Sequence, residues 1–382
     1  MELSSLVIVC YLGTALLGIY PRRKVRISYR IVQDPIVLVL AAVVLSQLCY
    51  PITAAVLLTA IAVVMYSDLP APWTDPRGRA VFITGCDHGL GHALALRLDK
   101  LGMTVFAGCL FKGGEGEKEL VRQASDRLVT LQLDVTDQGQ VAEVAREVQA
   151  HLDGRVLHGV VNNAGILMSA NMEVMSWADI RKIFEVNLFG VISVYRAFMP
   201  MLRQRGRDTP ARLVNISSNI GIAPTCQMGA YVVSKAAVAQ LGETWRQELR
   251  KMGVSVSTIV PSGFRTGILM YDKEAAANRW WQAASPEVQD YFGRGCFILV
   301  NRVKSYKEML NPDTSSVVEC MADALLSHHP RPMYYRGLMA RSLCWLFLHC
   351  PSCVWDLLAP HIADFYHFPV QALEGNAQMG QS

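Results

Sequence analysis

At 382 residues, 52% hydrophobic and only 18% charged, the chain is more apolar than a typical soluble protein. Its net charge of +4, with basic residues scattered outside one N-terminal cluster, argues against a nucleic-acid groove. Ten cysteines without framework spacing, several inside apolar runs, argue against a disulfide scaffold.

Mean hydropathy of +0.24 points to a membrane, and two N-terminal segments account for it. The first, "LVIVCYLGTALLGIY" (residues 6–20), is followed at once by Arg22, Arg23, Lys24, Arg26 and Arg30. A cleaved signal peptide carries its basic residues before the apolar run, so this order reads as an anchor. The second, residues 35–66, has no charge over 32 residues. As one helix it would reach roughly 48 Å, against a hydrocarbon core of about 30 Å, so it must tilt or break. Pro51 supplies a break point. A single second span sends the following domain to the lumen, whereas a hairpin at Pro51 returns it to the cytosol, and both topologies stay open.

After the polar linker "SDLPAPWTDPRGR" the pattern changes. "AVFIT", "TVFAGC", "LVTLQL", "HGVV", "RLVNIS" and "VSVSTIV" read as buried strands, separated by helical stretches such as "HALALRLDKLG" and "QVAEVAREVQAHL". Strands rich in β-branched residues alternating with helices predict an α/β fold with a doubly wound parallel sheet. The first strand runs into "TGCDHGLGHALAL", where Gly85, Gly89 and Gly91 form a turn opening a helix. Such a turn lets the backbone and a helix N-terminus approach a pyrophosphate.

Three further elements follow in order: "NNAG" with Asn162, Ala164 and Gly165 after the fourth strand, "EVNLFG" with Asn187 in a helix, and "NISS" closing the fifth strand. Ser218 lies thirteen residues before Tyr231, and Lys235 sits one helical turn beyond the tyrosine. Ligands of a doubly wound sheet bind at the carboxyl ends of its strands, so Ser218 and the helix after it would face one crevice.

These motifs, in this order from about residue 79 to residue 300, resemble the short-chain dehydrogenase/reductase family. "GCDHGLGHAL", "FAGCL", "AYVVSKAAV", "SPEVQDYFG" and "ADALLSHHPRPMYY" are similar to its membrane-bound hydroxysteroid and retinol dehydrogenase branch. The resemblance implies a Rossmann fold with an anchor at 1–66, a linker at 67–78, the dehydrogenase domain at 79–335 and an apolar tail at 336–382. It also implies endoplasmic reticulum membrane and a homodimer formed through the helices carrying Asn187 and Tyr231.

Alcohol oxidation removes a hydroxyl proton while a hydride leaves the same carbon for a nicotinamide. Tyrosine, with a pKa near 10, is a poor base at neutral pH. A lysine one turn away favours the phenolate. Tyr231 is therefore the expected base, Lys235 its partner and grip on the nicotinamide ribose, and Ser218 the group that holds the substrate oxygen. The family pattern gives Asn187 a water that links Lys235 to solvent. Ser217 reads as a strand-end hydroxyl that satisfies backbone.

The resemblance assigns cofactor contacts to Gly85, Asp87, Gly89, Leu90, Gly91, Cys109, Asp134, Asn162, Ala164, Gly165, Tyr231, Lys235, Pro261 and Thr266. Direct reading of the second strand's end, with Cys109, Leu110, Lys112 and His88, does not choose between NAD and NADP, whereas the "FAGCL" resemblance implies NAD. "VPSGFRTG" departs from the family's Pro-Gly: either the loop shifts to use Gly263, or Ser262 fits without strain.

Met270, Tyr271, Trp280 and Trp281, in the segment that covers substrate in this family, offer a large surface for a lipid-like alcohol. The paired tryptophans read equally as core or membrane-interface residues. "RSLCWLFLHCPSCVWDLL" is too short and interrupted for a span and reads as docking on the bilayer or shielding the substrate opening. Its Cys350 and Cys353 lack a second ligand pair, so no metal site is expected. Asn215 begins a glycosylation triplet on a buried strand, where it would go unused. The implied function is NAD-dependent oxidation of a steroid hydroxyl, foremost at the 17-beta position. An 11-beta-hydroxysteroid, retinol or 3-hydroxybutyrate, or a catalytically silent binding protein, are the alternatives.

Overall fold

Among the described residues seven parallel strands lie in the order β3-β2-β1-β4-β5-β6-β7: β1 Arg79–Thr84, β2 Thr104–Cys109, β3 Leu128–Gln132, β4 Val156–Asn162, β5 Ala211–Ile216, β6 Val254–Pro261 and β7 Met333–Arg336. The order reverses between β1 and β4, which opens a crevice at their carboxyl ends. This is the doubly wound sheet expected from the sequence. The computed structural model describes residues 72–204, 210–269, 271–298, 310–337 and 340–362, all in the unit that begins at Pro72. Both N-terminal apolar segments, the Pro51 break and Met270 lie outside the described residues.

The five inner strands β1, β2, β4, β5 and β6 form because each is buried on both faces and feeds two cores by alternation. In β1, Ala80 and Phe82 join one core, whereas Val81 and Ile83 join the other. The first core is closed by α3 (Gln138–Ala150), α5 (Gly190–Arg203) and α6 (Gly229–Glu248) through residues such as Val144, Phe198 and Val238. Phe82 and Phe198 stack at 4.2 Å. On the opposite face α1 (Gly89–Lys100) and α9 (Ser315–Leu326) supply Leu94, Leu98, Val317, Met321 and Leu325. Burying each such large aliphatic or aromatic side chain contributes about 1.5–3 kcal/mol.

Two connections differ from a plain reading of the chain. The described part of the linker is docked: Trp73 Nε1 donates to Asp323 Oδ1 (2.8 Å) and Thr74 N to Leu326 O (2.7 Å). β7 completes the sheet, with Thr258 opposite Met333 and Pro261 opposite Arg336. Among the described residues one helical run, Trp177–Arg203, is long and apolar enough to cross a membrane. It joins α4 (Trp177–Phe184) through a π-turn at Glu185–Phe189 to α5, and its Val191, Val194, Phe198 and Leu202 pack in the sheet core.

Candidate active site

The turn after β1 needs glycine twice, because Gly85 and Gly89 adopt φ values of +70° and +68°. A Cβ on Gly85 would come within 2.9 Å of Ala164 Cα, and one on Gly91 would overlap the Gly85 carbonyl. No side chain caps α1, whose N-cap His88 is extended and exposed. Its first N–H groups and the bare turn therefore stand at the crevice beside half-buried Leu90, an arrangement that fits a dinucleotide pyrophosphate.

The "NNAG" loop is moored to this turn by residues that motif reading left out. Thr84 Oγ1 accepts from the N–H groups of Asn163 and Ala164, both at 3.0 Å. Asn163 Nδ2 donates to the carbonyls of Thr84 (2.9 Å) and Gly85 (3.0 Å). Asn162 instead points along the sheet, where its Nδ2 donates to Asn215 Oδ1 at 2.8 Å. Asn215 is fully buried, out of reach of a glycan.

At the adenosine end, Asp87 accepts from Leu110 N and Phe111 N, both at 2.9 Å, and so shapes the loop after β2. Cys109 sits in the core with Val105 and Ala107, so its side chain does not reach the crevice. Burial pushes its thiol up to about 12, and the Asp87 and Glu117 carboxylates add to the shift. Asp134 forms a local turn, accepting from Thr136 N (2.9 Å) and Thr136 Oγ1 (2.7 Å).

Ser218, Tyr231, Lys235 and Asn187 are all buried. Lys235 Nζ donates to Ile216 O at 2.9 Å, Ser217 Oγ donates to Lys235 O at 2.7 Å, and Lys235 Nζ lies 5.8 Å from the Tyr231 ring centre. The end of β5 is thus bonded to α6 just before Ser218, and the short 3-10 turn Asn219–Gly221 packs against α6 at Lys235. Ser217 has the backbone-satisfying role expected of it. Asn187 lies in the π-turn, a form common at functional sites. Its amide accepts from Ile166 N (2.8 Å) and donates to Ile166 O (2.9 Å) and Ser234 Oγ (3.0 Å). It therefore joins the "NNAG" loop to α6. Ser234 in turn donates to Tyr231 O at 2.7 Å. Gly165 lies between, where a Cβ would be 3.2 Å from Lys235 Nζ and 3.3 Å from Asn187 Oδ1.

Around Tyr231 stands an apolar wall of Leu167, Met228 and Leu310, backed by Ile220, Val232 and Ile268. Trp280 is not part of it. On α7 (Lys273–Ala283), Trp280 is fully buried and donates through Nε1 to Asp179 Oδ2 at 2.6 Å, so it is core. Trp281 packs edge-on against Phe297, and Tyr271 Oη accepts from Ser169 N at 3.1 Å. α10 (Ala340–His349) lies behind the site, with buried Cys344 Sγ 3.5 Å from Asn219 O. Cys350 and Cys353 are free thiols.

The loop after β6 brings Thr266 against the glycine turn, 3.3 Å from where a Gly89 Cβ would stand. Ser262, after buried Pro261, needs no left-handed backbone, and its N–H donates to Arg336 O at 2.8 Å. Its hydroxyl occupies space released by Gly337, which has φ +100° and whose Cβ would overlap Ser262 Oγ. The second of the two expectations for this loop is therefore the observed one. Gly337→Ala is expected to destabilise by about 2–3 kcal/mol in urea melts, combining backbone strain with the overlap. Adding Ser262→Gly should restore about 1 kcal/mol through coupling of the two sites, and strict additivity would contradict the packing described.

The sequence profile of the short chain dehydrogenase family matches residues 79–277. The chain is similar to estradiol 17-beta-dehydrogenase 2 of Mus musculus, 36% identical over 288 residues that cover 73% of each chain. It is 35% identical over 281 residues to retinol dehydrogenase 7 of Mus musculus, covering 73% of this chain and 86% of the relative. A solved short chain dehydrogenase/reductase from Burkholderia phymatum in complex with NAD shares the fold, with a TM-score of 0.60 at 24% identity over 72% of this chain and 94% of that one.

Proposed function

This chain belongs to the short-chain dehydrogenase family of oxidoreductases, and we propose that it oxidises a steroid hydroxyl to the ketone with NAD, foremost the 17-beta hydroxyl of estradiol or testosterone. The observation that carries this reading is the Tyr231 phenol set in an apolar wall, with Lys235 buried beneath it and Ser218 on the adjoining strand end. A rigid apolar alcohol can lay its rings on that wall while its hydroxyl meets the phenol. Relatives named for estradiol and retinol support a lipid-like alcohol.

In this reading Tyr231 takes the hydroxyl proton, and Ser218 hydrogen-bonds the same oxygen and holds it in place. The Lys235 ammonium favours the phenolate by its charge and would hold a ribose hydroxyl. Bound NAD supplies the acceptor for the hydride. Asn187 would keep the water next to Lys235 that the family pattern gives it. Gly85, Gly89, Leu90 and Gly91 would cradle the pyrophosphate, Asp134 the adenine, Ala164 and Gly165 the ribose side, and Pro261 and Thr266 the carboxamide. NAD is favoured over NADP because at the end of β2 two carboxylates, Asp87 and Glu117, outnumber the single nearby ammonium of Lys112. A 2′-phosphate there would meet repulsion.

The apolar N-terminal segments support attachment to the endoplasmic reticulum membrane. Exposed Phe189 and Val233, on the helices of Asn187 and Tyr231, support a homodimer. A monomer mass by light scattering in mild detergent would refute the dimer. The activity is tested by offering membranes that contain the protein estradiol, testosterone, cortisol, retinol and 3-hydroxybutyrate, each with NAD and with NADP, and following reduced nicotinamide. Turnover is expected to be fastest with estradiol or testosterone and NAD. No turnover of any, from folded protein that binds NAD, would sink the reading.

A further inference from the structure

Leu310 lies 33 residues beyond the last residue matched by the family profile, at 277, yet it is buried in the wall around Tyr231. The other members of that wall ride on elements that carry the proposed machinery. Leu167 follows the "NNAG" loop, Ile220 follows Ser218, Met228 and Val232 flank Tyr231, and Ile268 follows Thr266. Leu310 comes from none of these elements. Its position is nevertheless fixed by its neighbour, since Asn311 N donates to Gly263 O at 3.1 Å and Arg265 N donates to Asn311 O at 2.9 Å. These two bonds bracket Phe264, so Leu310 is held in register with the loop that presents Thr266. The clip uses only main-chain atoms, and the side chain at 310 can therefore vary without breaking it.

We propose that Leu310 is a specificity-determining residue, one that the carbon skeleton of the alcohol touches when its hydroxyl reaches Tyr231. The proposal rests on the oxidation of an apolar alcohol at that site. An alcohol too small to extend past the phenol gains little from Leu310, whereas a polycyclic one lies across it. One or two methylenes in an apolar pocket discriminate by about 10–200-fold.

The test compares Leu310→Ala and Leu310→Met with the unaltered protein in membranes. It uses kcat/KM for estradiol and for cyclohexanol, the NADH dissociation constant from nicotinamide fluorescence, and the estradiol-induced rise in Tm of the NADH-loaded protein. For Leu310→Ala the estradiol-to-cyclohexanol ratio of kcat/KM is expected to fall about 10–100-fold, mostly through KM, and the estradiol-induced Tm rise to shrink. NADH affinity should stay within about twofold because the Asn311 clip is main-chain, and Leu310→Met, which conserves volume, should recover most of the ratio. Equal loss with both alcohols, or an unchanged ratio with an undiminished Tm rise, overturns the proposal. Should Leu310→Ala lose NADH binding and thus its fold, the ratio in Leu310→Met against Leu310→Phe decides: a shared value refutes the contact. Absence of turnover in the unaltered protein counts against the steroid oxidation, and the estradiol-induced Tm rise then judges Leu310 alone.

Discussion

Tyr231→Phe is expected to lower kcat/KM for the steroid alcohol about a thousandfold, nearly all of it in kcat, with NADH affinity kept within about twofold. The substitution deletes one oxygen and leaves the ring, so Leu167, Met228 and Leu310 keep their partner and the Lys235 ammonium keeps a ring 5.8 Å away. Folding should be little affected, because the buried ring stays in its apolar cluster and the bond from Ser234 to the main-chain carbonyl of Tyr231 is kept. What is lost is the group that receives the proton, and positioned proton transfer contributes about 10²–10⁴ in rate. Ser218 remains to hold the alcohol oxygen, which is why binding should survive. Undiminished turnover would show that another group is the base.

The sheet was legible because a parallel strand buried on both faces must be apolar nearly throughout, as "AVFIT" and "TVFAGC" are. β7 was not, since four residues after "HHPRP" carry no period and become a strand only where β6 offers an edge. The order of the glycine turn, "NNAG", Ser218 and Tyr231 marked the crevice, because each motif ends or follows a strand at the same edge. Side-chain direction was harder. Period-two alternation would have put Cys109 with Val105 and Ala107 in the core, and at that position the family expectation outweighed the simpler geometry. Links between distant residues left no local trace: Asp87 with the loop at Leu110, Ser262 with Gly337, and Asn311 with Gly263. Each joins a short motif to a segment whose own sequence is unremarkable, and only the folded sheet brings them together.

Lys235→Met is expected to abolish most turnover while making the cofactor-free protein more stable at pH 7. Burial lowers the Lys235 pKa from the ordinary 10.5 to about 8, so the folded chain holds this proton less tightly than the unfolded chain does. Between pH 8 and 10.5 the unfolded state binds more protons, and stability rises with pH across that window. Below pH 8 both states are charged and the full penalty of the buried ammonium is present, on the order of 3 kcal/mol. Methionine removes that penalty but leaves the Ile216 carbonyl without its 2.9 Å donor, a loss of about 1 kcal/mol. A net gain of about 1–2 kcal/mol should therefore appear in urea melts at pH 7, fade as the pH rises past 8 and turn into a loss of about 1 kcal/mol near pH 10.5. Turnover should fall by about 10²–10⁴, since the phenolate of Tyr231 loses the charge that favours it. A variant that is less stable at pH 7, or whose difference from the unaltered protein is independent of pH, would mean that Lys235 is not charged and buried in the free protein. A site that spends stability on a buried cation makes sense only if the cation acts on something, and Tyr231, one turn away, lies within reach of its charge.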